Sequence, residues 1–302
     1  MKIKPDVPSI KHDIVAANGI EIHVARAGTP GAPSLVLLHG WPEFWYVWHK
    51  MVPLLADSYD LIIPDLRGFG DTEKPYEGKS DQNGAPILAD DLEALSDALG
   101  LNRFGLVSHD VGSFVAQAFA RQAPERLSGL FFFNCVHSGV GRRWLEPEHL
   151  AEIWYQSFHQ KHWAAQLIGS SREACRIYFA NMLAHWAHDP AAFEDDLDHW
   201  VENFMKPGNL QGGFNWYVSA NAGRIAMMKG ELPKLPKIDV PAYVYWGRHD
   251  PVLKAEWADN IDETFTDVTV EIAENAGHFV HYETPGAAAE RVHNFFRPRA
   301  TA

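Results

Sequence analysis

The sequence is poor in the features that define several protein classes. It has two cysteines, Cys135 and Cys175, in 302 residues, with no CxxC pair. That is too few for a disulfide framework or a cysteine-rich metal site. Cys135 sits in an apolar run and reads as a buried free thiol. No stretch is long and apolar enough to span a bilayer. Met1–Ile10 carries lysines but no apolar segment after them, so no export signal is expected and the chain reads as a cytoplasmic protein. Positive charge is also scarce. There are 26 Lys+Arg against 39 Asp+Glu, a formal net charge of −13. Nucleic acid and anionic membranes both require the opposite sign, so neither is expected as a partner. The overall charge favours a neutral or cationic small molecule over a polyanion. GxGxxG and GxxxxGK[ST] runs are absent, and with them any sign of a nucleotide cofactor. His185, His188 and Asp189 lie close together but lack a third ligand or an HExxH frame, so no metal is expected.

What remains is an ordinary globular composition, 46% hydrophobic and 22% charged, in a chain long enough to bury a large core. Short apolar runs alternate with helical patterns. The strand-like runs are Ile20–Arg26, Ser34–Leu38, Tyr59–Ile63, Phe104–Ser108, Leu130–Phe133, Ala242–Trp246 and Val268–Ile272. Several are apolar on both faces, as strands of a parallel sheet covered by helices must be. Ala89–Leu99, Gly112–Gln122 and Gly286–Phe296 repeat apolar residues at helical spacing. The expected fold is therefore α/β, a mostly parallel central sheet flanked by helices. Ser138–Lys229 contains no convincing strand and is rich in Trp, His and Phe. It reads as a helical cap inserted into the sheet domain, which divides the chain into a core of residues 1–137 and 230–302 and a cap of residues 138–229. Leu232–Pro241, with three prolines, reads as the return linker.

Ligands in such sheets sit beyond the C-terminal strand ends, which singles out His39, Asp65, Asp110, Asn134 and Asp250. The sharpest signal is Ser108-His109-Asp110-Val111-Gly112, between a strand run and a helical run. Small residues flank a central side chain, the pattern of a strained strand-to-helix turn that displays a nucleophile. The displayed residue is Asp, where acyl-transfer enzymes of this pattern carry Ser. A carboxylate can attack an sp³ carbon and form an ester that water then hydrolyses. Taken alone, Asp110 would read as a helix cap. Ser108 and Ser113 are rivals placed in the strand and past the turn. Later in the chain come Trp246-Gly247-Arg248-His249-Asp250 and Gly277-His278. Asp250 would orient His278 as a general base, in the order nucleophile, acid, base. His39-Gly40-Trp41-Pro42-Glu43 follows the second strand run. Its Trp41 amide, together with that of Val111, would form an oxyanion hole, and a cis Trp41–Pro42 bond is expected there.

His39-Gly40-Trp41-Pro42-Glu43, Pro64-Asp65-Leu66-Arg67-Gly68-Phe69-Gly70, His109-Asp110 and Gly277-His278 together resemble the epoxide hydrolases of the α/β-hydrolase fold, over nearly the whole chain. The resemblance implies two cap tyrosines that hold and protonate the oxirane oxygen. Tyr155, in Trp154-Tyr155-Gln156-Ser157-Phe158, and Tyr217, in Gly213-Phe214-Asn215-Trp216-Tyr217, match those positions. Phe44, Trp154, Phe158, Trp216 and Phe279 are expected to line a pocket for an apolar or aromatic epoxide, and a homodimer is left open. Aspartate-nucleophile dehalogenases share much of the pattern. They generally carry Trp or Arg after the nucleophile, where this chain has Val111. Val111 also departs from the Trp common in epoxide hydrolases. A dehalogenase, and a non-catalytic ligand-binding protein on the same fold, are the alternative readings.

Overall fold

Eight strands make one sheet in the computed structural model, which describes residues 10–75, 83–231 and 233–297. They are β1 (Lys11–Ala17), β2 (Ile20–Gly28), β3 (Ser34–Leu38), β4 (Asp60–Pro64), β5 (Phe104–His109), β6 (Leu127–Phe133), β7 (Ala242–Gly247) and β8 (Val268–Ala273). Their order is β1-β2-β4-β3-β5-β6-β7-β8. The β1–β2 and β2–β4 pairs are antiparallel and the rest are parallel. Each sequence-predicted run lies in one of these strands, apart from its edges. β1 escaped the pattern because it is an edge strand with mostly exposed side chains and so has no apolar alternation. Its signal is the turn instead. Asn18 and Gly19 both have positive φ, 46° and 74°, the Asn-Gly pair that closes a two-residue hairpin in the sense of strand twist. Of the N-terminal segment Met1–Ile10, only Ile10 is among the described residues, and Leu232 of the linker is outside them.

The helices are α1 (Val52–Leu55), α2 (Ala85–Ala98), α3 (Val111–Gln122), α4 (Pro147–Glu152), α5 (Trp154–Phe158), α6 (Ala164–Ile168), α7 (Arg172–Trp186), α8 (Leu197–Phe204), α9 (Asn209–Lys229), α10 (Val280–Glu283) and α11 (Pro285–Phe296). α3 packs on β3, β5, β6 and α2, while α11 packs on β6, β7 and α1. All six residues of β5 are buried, which explains its apolar sequence on both faces. None of the described helices is long and apolar enough to cross a membrane.

Between β6 and β7 every described regular element is helical. The segment opens with the 3-10 turns of Ser138–Leu145 and continues through α4 to α9. The long helices end on clear signals. The Ser171 side chain accepts from the Ala174 N–H at 3.0 Å and caps α7, satisfying one of its free first-turn donors. Gly230, at φ 72°, closes α9 in the left-handed conformation. This segment is bolted to the sheet by buried polar contacts. The Trp200 indole donates to Pro42 O at 2.8 Å. Asn209 Nδ2 donates to Gly70 O at 2.9 Å. The backbone N–H of His278 donates to Trp186 O at 2.8 Å.

Candidate active site

The turn after β5 holds Asp110 at φ 45° and ψ −113°. A non-glycine residue in that region costs on the order of 1–3 kcal/mol and persists only where its surroundings enforce it. Two close approaches do so. A Cβ on Gly112 would lie 2.5 Å from Leu38 O, and one on Gly40 would lie 2.4 Å from Asp110 Cβ. Glycine at both positions lets α3 and the loop after β3 close around the turn. The Ser113 N–H then bonds Asp110 O at 2.9 Å, and the carboxylate is carried to the C-terminal edge of the sheet. There Asp110 Oδ1 accepts the Trp41 N–H at 2.8 Å. The Trp41–Pro42 peptide is cis, as expected. Val111 is the first residue of α3 and is buried.

His278 meets this carboxylate from the loop between β8 and α10. Its Nε2 lies 3.9 Å from Asp110 Oδ2 and has no hydrogen-bond partner among the described residues. Its Nδ1 lies 2.8 Å from Asp250 Oδ2. Asp250 is fully engaged: Oδ1 accepts the Val252 and Leu253 N–H groups at 2.8 and 2.9 Å. Its Oδ2 also accepts Asn134 Nδ2 at 2.5 Å. Asn134, at φ 50° after β6, donates to His278 O at 2.9 Å and accepts the Gly247 N–H at 2.7 Å. One side chain thus ties three strand ends together. Burial alone would lower the His278 pKa, but the facing Asp250 and Asp110 carboxylates outweigh it and push it up to about 9. Burial raises the Asp110 pKa, although its side chain keeps 16% exposure. The imidazole is held protonated by two carboxylates.

Tyr155 on α5 and Tyr217 on α9 come together above this group, with ring centroids 5.6 Å apart. Both are buried. Burial raises the pKa of both phenols most; the Asp110 charge comes next for Tyr155, and the neighbouring Tyr155 and then Asp110 for Tyr217, so each remains a proton donor. The Trp41 ring stands edge-on to Tyr217 at 5.9 Å.

The expected pocket residues separate into groups. Phe279 is buried 5.1 Å from the His278 ring. Trp216 is buried and packs on Phe114. Phe44 instead packs on Trp45, Tyr46 and Trp200, in a neighbouring aromatic layer. Trp154 is 51% exposed. Its ring lies with Phe158 and Tyr178, and Phe158 packs on Trp163 as well. The expectation that Trp154 lines the pocket is corrected: one residue along a helix from Tyr155, its side chain leaves about 100° away and faces solvent.

Sequence reasoning missed several neighbours. Trp186, at the end of α7, stands 4.9 Å from the Tyr155 ring and 5.2 Å from the His278 ring. His159 is buried against Trp41, Tyr217 and Phe214 and bonds the Tyr178 hydroxyl at 2.6 Å. Burial drives its pKa well below the usual value, so the ring is neutral. Helical spacing could have flagged His159, one turn beyond Tyr155. Nothing in the sequence separates Trp186 from a core tryptophan. Asn134 was placed at a strand end but its role as a tie was invisible.

Beneath the turn, His109 Nε2 lies 2.8 Å from His278 O and Nδ1 2.8 Å from Glu43 Oε1. Glu43 Oε2 accepts the Gly40 N–H at 2.6 Å, and His281 lies 3.5 Å from Oε1. Among the described residues, Glu43, His109 and His281 are the one group of three close enough to share an ion. His109 already bridges the carboxylate to the His278 backbone, which makes the cluster an internal brace of the site. His185 pairs with Glu152 at 2.7 Å, and His188 stacks on His249 with centroids 4.2 Å apart.

A strained acidic turn, a His–Asp pair and a mostly parallel eight-stranded sheet make one coherent arrangement, and the family model for the alpha/beta hydrolase fold matches residues 33–285. The chain belongs to the alpha/beta hydrolase family. Within this family it is 31% identical to a soluble epoxide hydrolase of Corynebacterium sp. (strain C12), over 96% of this chain and 98% of that one. The solved structure of the epoxide hydrolase CorEH without ligand is 30% identical, with a TM-score of 0.81 over 96% of this chain and 99% of that one. Cfl2 from Burkholderia cenocepacia is 28% identical, with a TM-score of 0.84 over 97% and 98%. The resemblance read from the motifs and the expected α/β fold are both borne out.

Proposed function

We propose that this chain hydrolyses epoxides to vicinal diols through an ester on Asp110, with residues 138–229 acting as the cap over a core of 1–137 and 230–302. The observation that carries the reading is an aspartate at the strained turn, facing His278 on one side and a buried tyrosine pair on the other. The epoxide hydrolases among the relatives support the same substrate class.

The two carboxylate oxygens are not equivalent. Oδ1 is held by the Trp41 N–H, so Oδ2 is free to attack an oxirane carbon. As the new C–O bond forms, the ring C–O bond breaks, and Tyr155 or Tyr217 gives its proton to the departing oxygen. The alkylated Asp110 no longer carries charge. The His278 pKa then falls, and Nε2 can take a proton from water as the oxygen attacks Asp110 Cγ. Negative charge on Oδ1 is stabilised by the amides of Trp41 and Val111. Collapse returns the carboxylate and releases the diol, and the tyrosinate regains its proton from His278 or solvent. Trp186 and Phe279 supply apolar walls beside the imidazole.

The test is a single turnover of styrene oxide followed by intact-protein mass, using His278→Ala to trap the ester. A gain equal to the epoxide, mapped to the peptide containing Asp110 and absent in Asp110→Ala, is expected. Full turnover by Asp110→Ala, or halide release from haloalkanes with no diol from any epoxide, overturns the reading.

A further inference from the structure

Beyond the tyrosine pair, the same two elements of the cap continue into a surface cleft of about 250 Å³. It is lined by Ser157 of α5, Gln160 and Lys161 just after α5, and Asn221, Arg224 and Met228 of α9 among others. Tyr155 and Tyr217 stand on these same helices. On α9 the residues Tyr217, Asn221, Arg224 and Met228 are spaced i, i+4, i+7 and i+11, one continuous stripe. Arg224 lies seven positions along the helix from Tyr217, about 10 Å of rise at 1.5 Å per residue. Side chains lean toward the helix N-terminus, so Arg224 reaches back toward the tyrosines.

The lining of the cleft holds two cations and no carboxylate. That is unusual for a chain with a net charge of −13. Among its other arginines, Arg26 pairs with Asp60, Arg67 with Asp91 and Arg291 with Glu271, while Arg121 is held by the carbonyls of Gln117 and Pro236. Arg224 has no carboxylate or carbonyl partner among the described residues. The titratable groups nearest it are the neutral Tyr155 phenol and the His149 imidazole. An arginine fork held between polar side chains recognises a carboxylate or phosphate by two parallel hydrogen bonds. The overall negative charge acts weakly here, because exposed charges more than about 10 Å away are screened.

We infer that the cleft between α5 and α9 binds an anionic group at the far end of the substrate, with Arg224 as its main ligand and Lys161 beside it, so that the preferred substrates are epoxides carrying a carboxylate at the end of an apolar spacer. The inference rests on the proposed epoxide chemistry and names the substrate class of that same site. It extends the expected apolar or aromatic epoxide to an amphipathic one: an oxirane and apolar spacer between the aromatics of α5 and α9, and an acid at the cleft.

The experiment measures kcat/KM for a homologous series of linear terminal epoxy acids, their methyl esters and styrene oxide. The wild type is compared with Arg224→Met, Arg224→Lys and Lys161→Met. The acid is expected to exceed its ester by about tenfold, the value of one charge-assisted hydrogen bond at a half-exposed site. The advantage should lie in KM, peak at one spacer length and shrink with added salt. Arg224→Met should erase it, Arg224→Lys should keep part of it, and styrene oxide turnover should not change. Equal turnover of acid and ester, or a loss in Arg224→Met that is the same for acid, ester and styrene oxide, overturns the inference and leaves the epoxide reading standing. Turnover of no epoxide by the wild type overturns both.

Discussion

Asp250→Asn separates the two chemical steps. The Asp250 carboxylate accepts four N–H groups, two on each oxygen. An amide of the same shape accepts on one atom only, so two hydrogen bonds to a charged acceptor are lost, each worth about 1.5–3 kcal/mol. The amide can point its NH₂ at the backbone N–H groups of Val252 and Leu253, or at His278 Nδ1. The backbone donors cannot rearrange. The imidazole can, by moving its proton from Nδ1 to Nε2. The NH₂ therefore turns toward His278, and the tautomer that results carries a proton on the very atom that must take one from water. Loss of the adjacent charge also leaves burial to depress the His278 pKa. Ester hydrolysis should fall by roughly 10⁴-fold, the magnitude associated with a wrong-tautomer histidine in a triad. Ester formation depends on Asp110 and the tyrosines and should fall far less. Rapid-quench single turnovers with intact-mass detection read both steps. The expected record is a burst of esterified protein that persists. Steady-state turnover within about tenfold of the wild type, with no accumulated ester, would refute the assignment of Asp250 as the group that sets the tautomer.

The pH dependence should also divide by step. With His278 at about 9 in the resting enzyme and lower once Asp110 is esterified, ester hydrolysis measured by single turnover should rise with pH and level off below 9, while ester formation holds level across that range. The same raised pKa stabilises the fold fully below the ordinary value of 6.5 and is lost as pH rises through about 9; a melting curve series should lose its alkaline decline in His278→Gln. Tyr217→Phe and Tyr155→Phe should each slow ester formation by roughly 10²-fold and leave hydrolysis of preformed ester unchanged; equal slowing of both steps would point to a packing defect instead. Gly40→Ala would put a Cβ 2.4 Å from Asp110 Cβ and 2.7 Å from Oδ1, and displacing the nucleophile should cost about 10²-fold in kcat even where circular dichroism shows the fold intact.

The sheet was legible because its strands are buried on both faces, which forces continuous apolar runs such as Leu35–Leu38 and Leu130–Phe133. The turn at Asp110 was legible because tight backbone contact at Gly112 excludes every larger residue, and that constraint is written two positions from the nucleophile, in Ser108-His109-Asp110-Val111-Gly112. His278 and Asp250 followed from their places at strand ends and from chain order. β1 was missed, since an exposed edge strand needs no pattern, although its Asn18-Gly19 turn was in plain view.

Tertiary structure alone decided what meets what across the helical segment between β6 and β7. A helix places its side chains by rotation, and one residue of register separates buried Tyr155 from exposed Trp154. Trp186 joins the site only because α7 ends where its carbonyl can receive the His278 N–H. Glu43, His109 and His281 come from three separated stretches of chain, and no local spacing predicts their contact. The apolar periodicity of a chain dictates which faces are buried. The distances between groups carried on different elements depend on how those elements pack, and these distances make Asp110, His278 and the two tyrosines a single site.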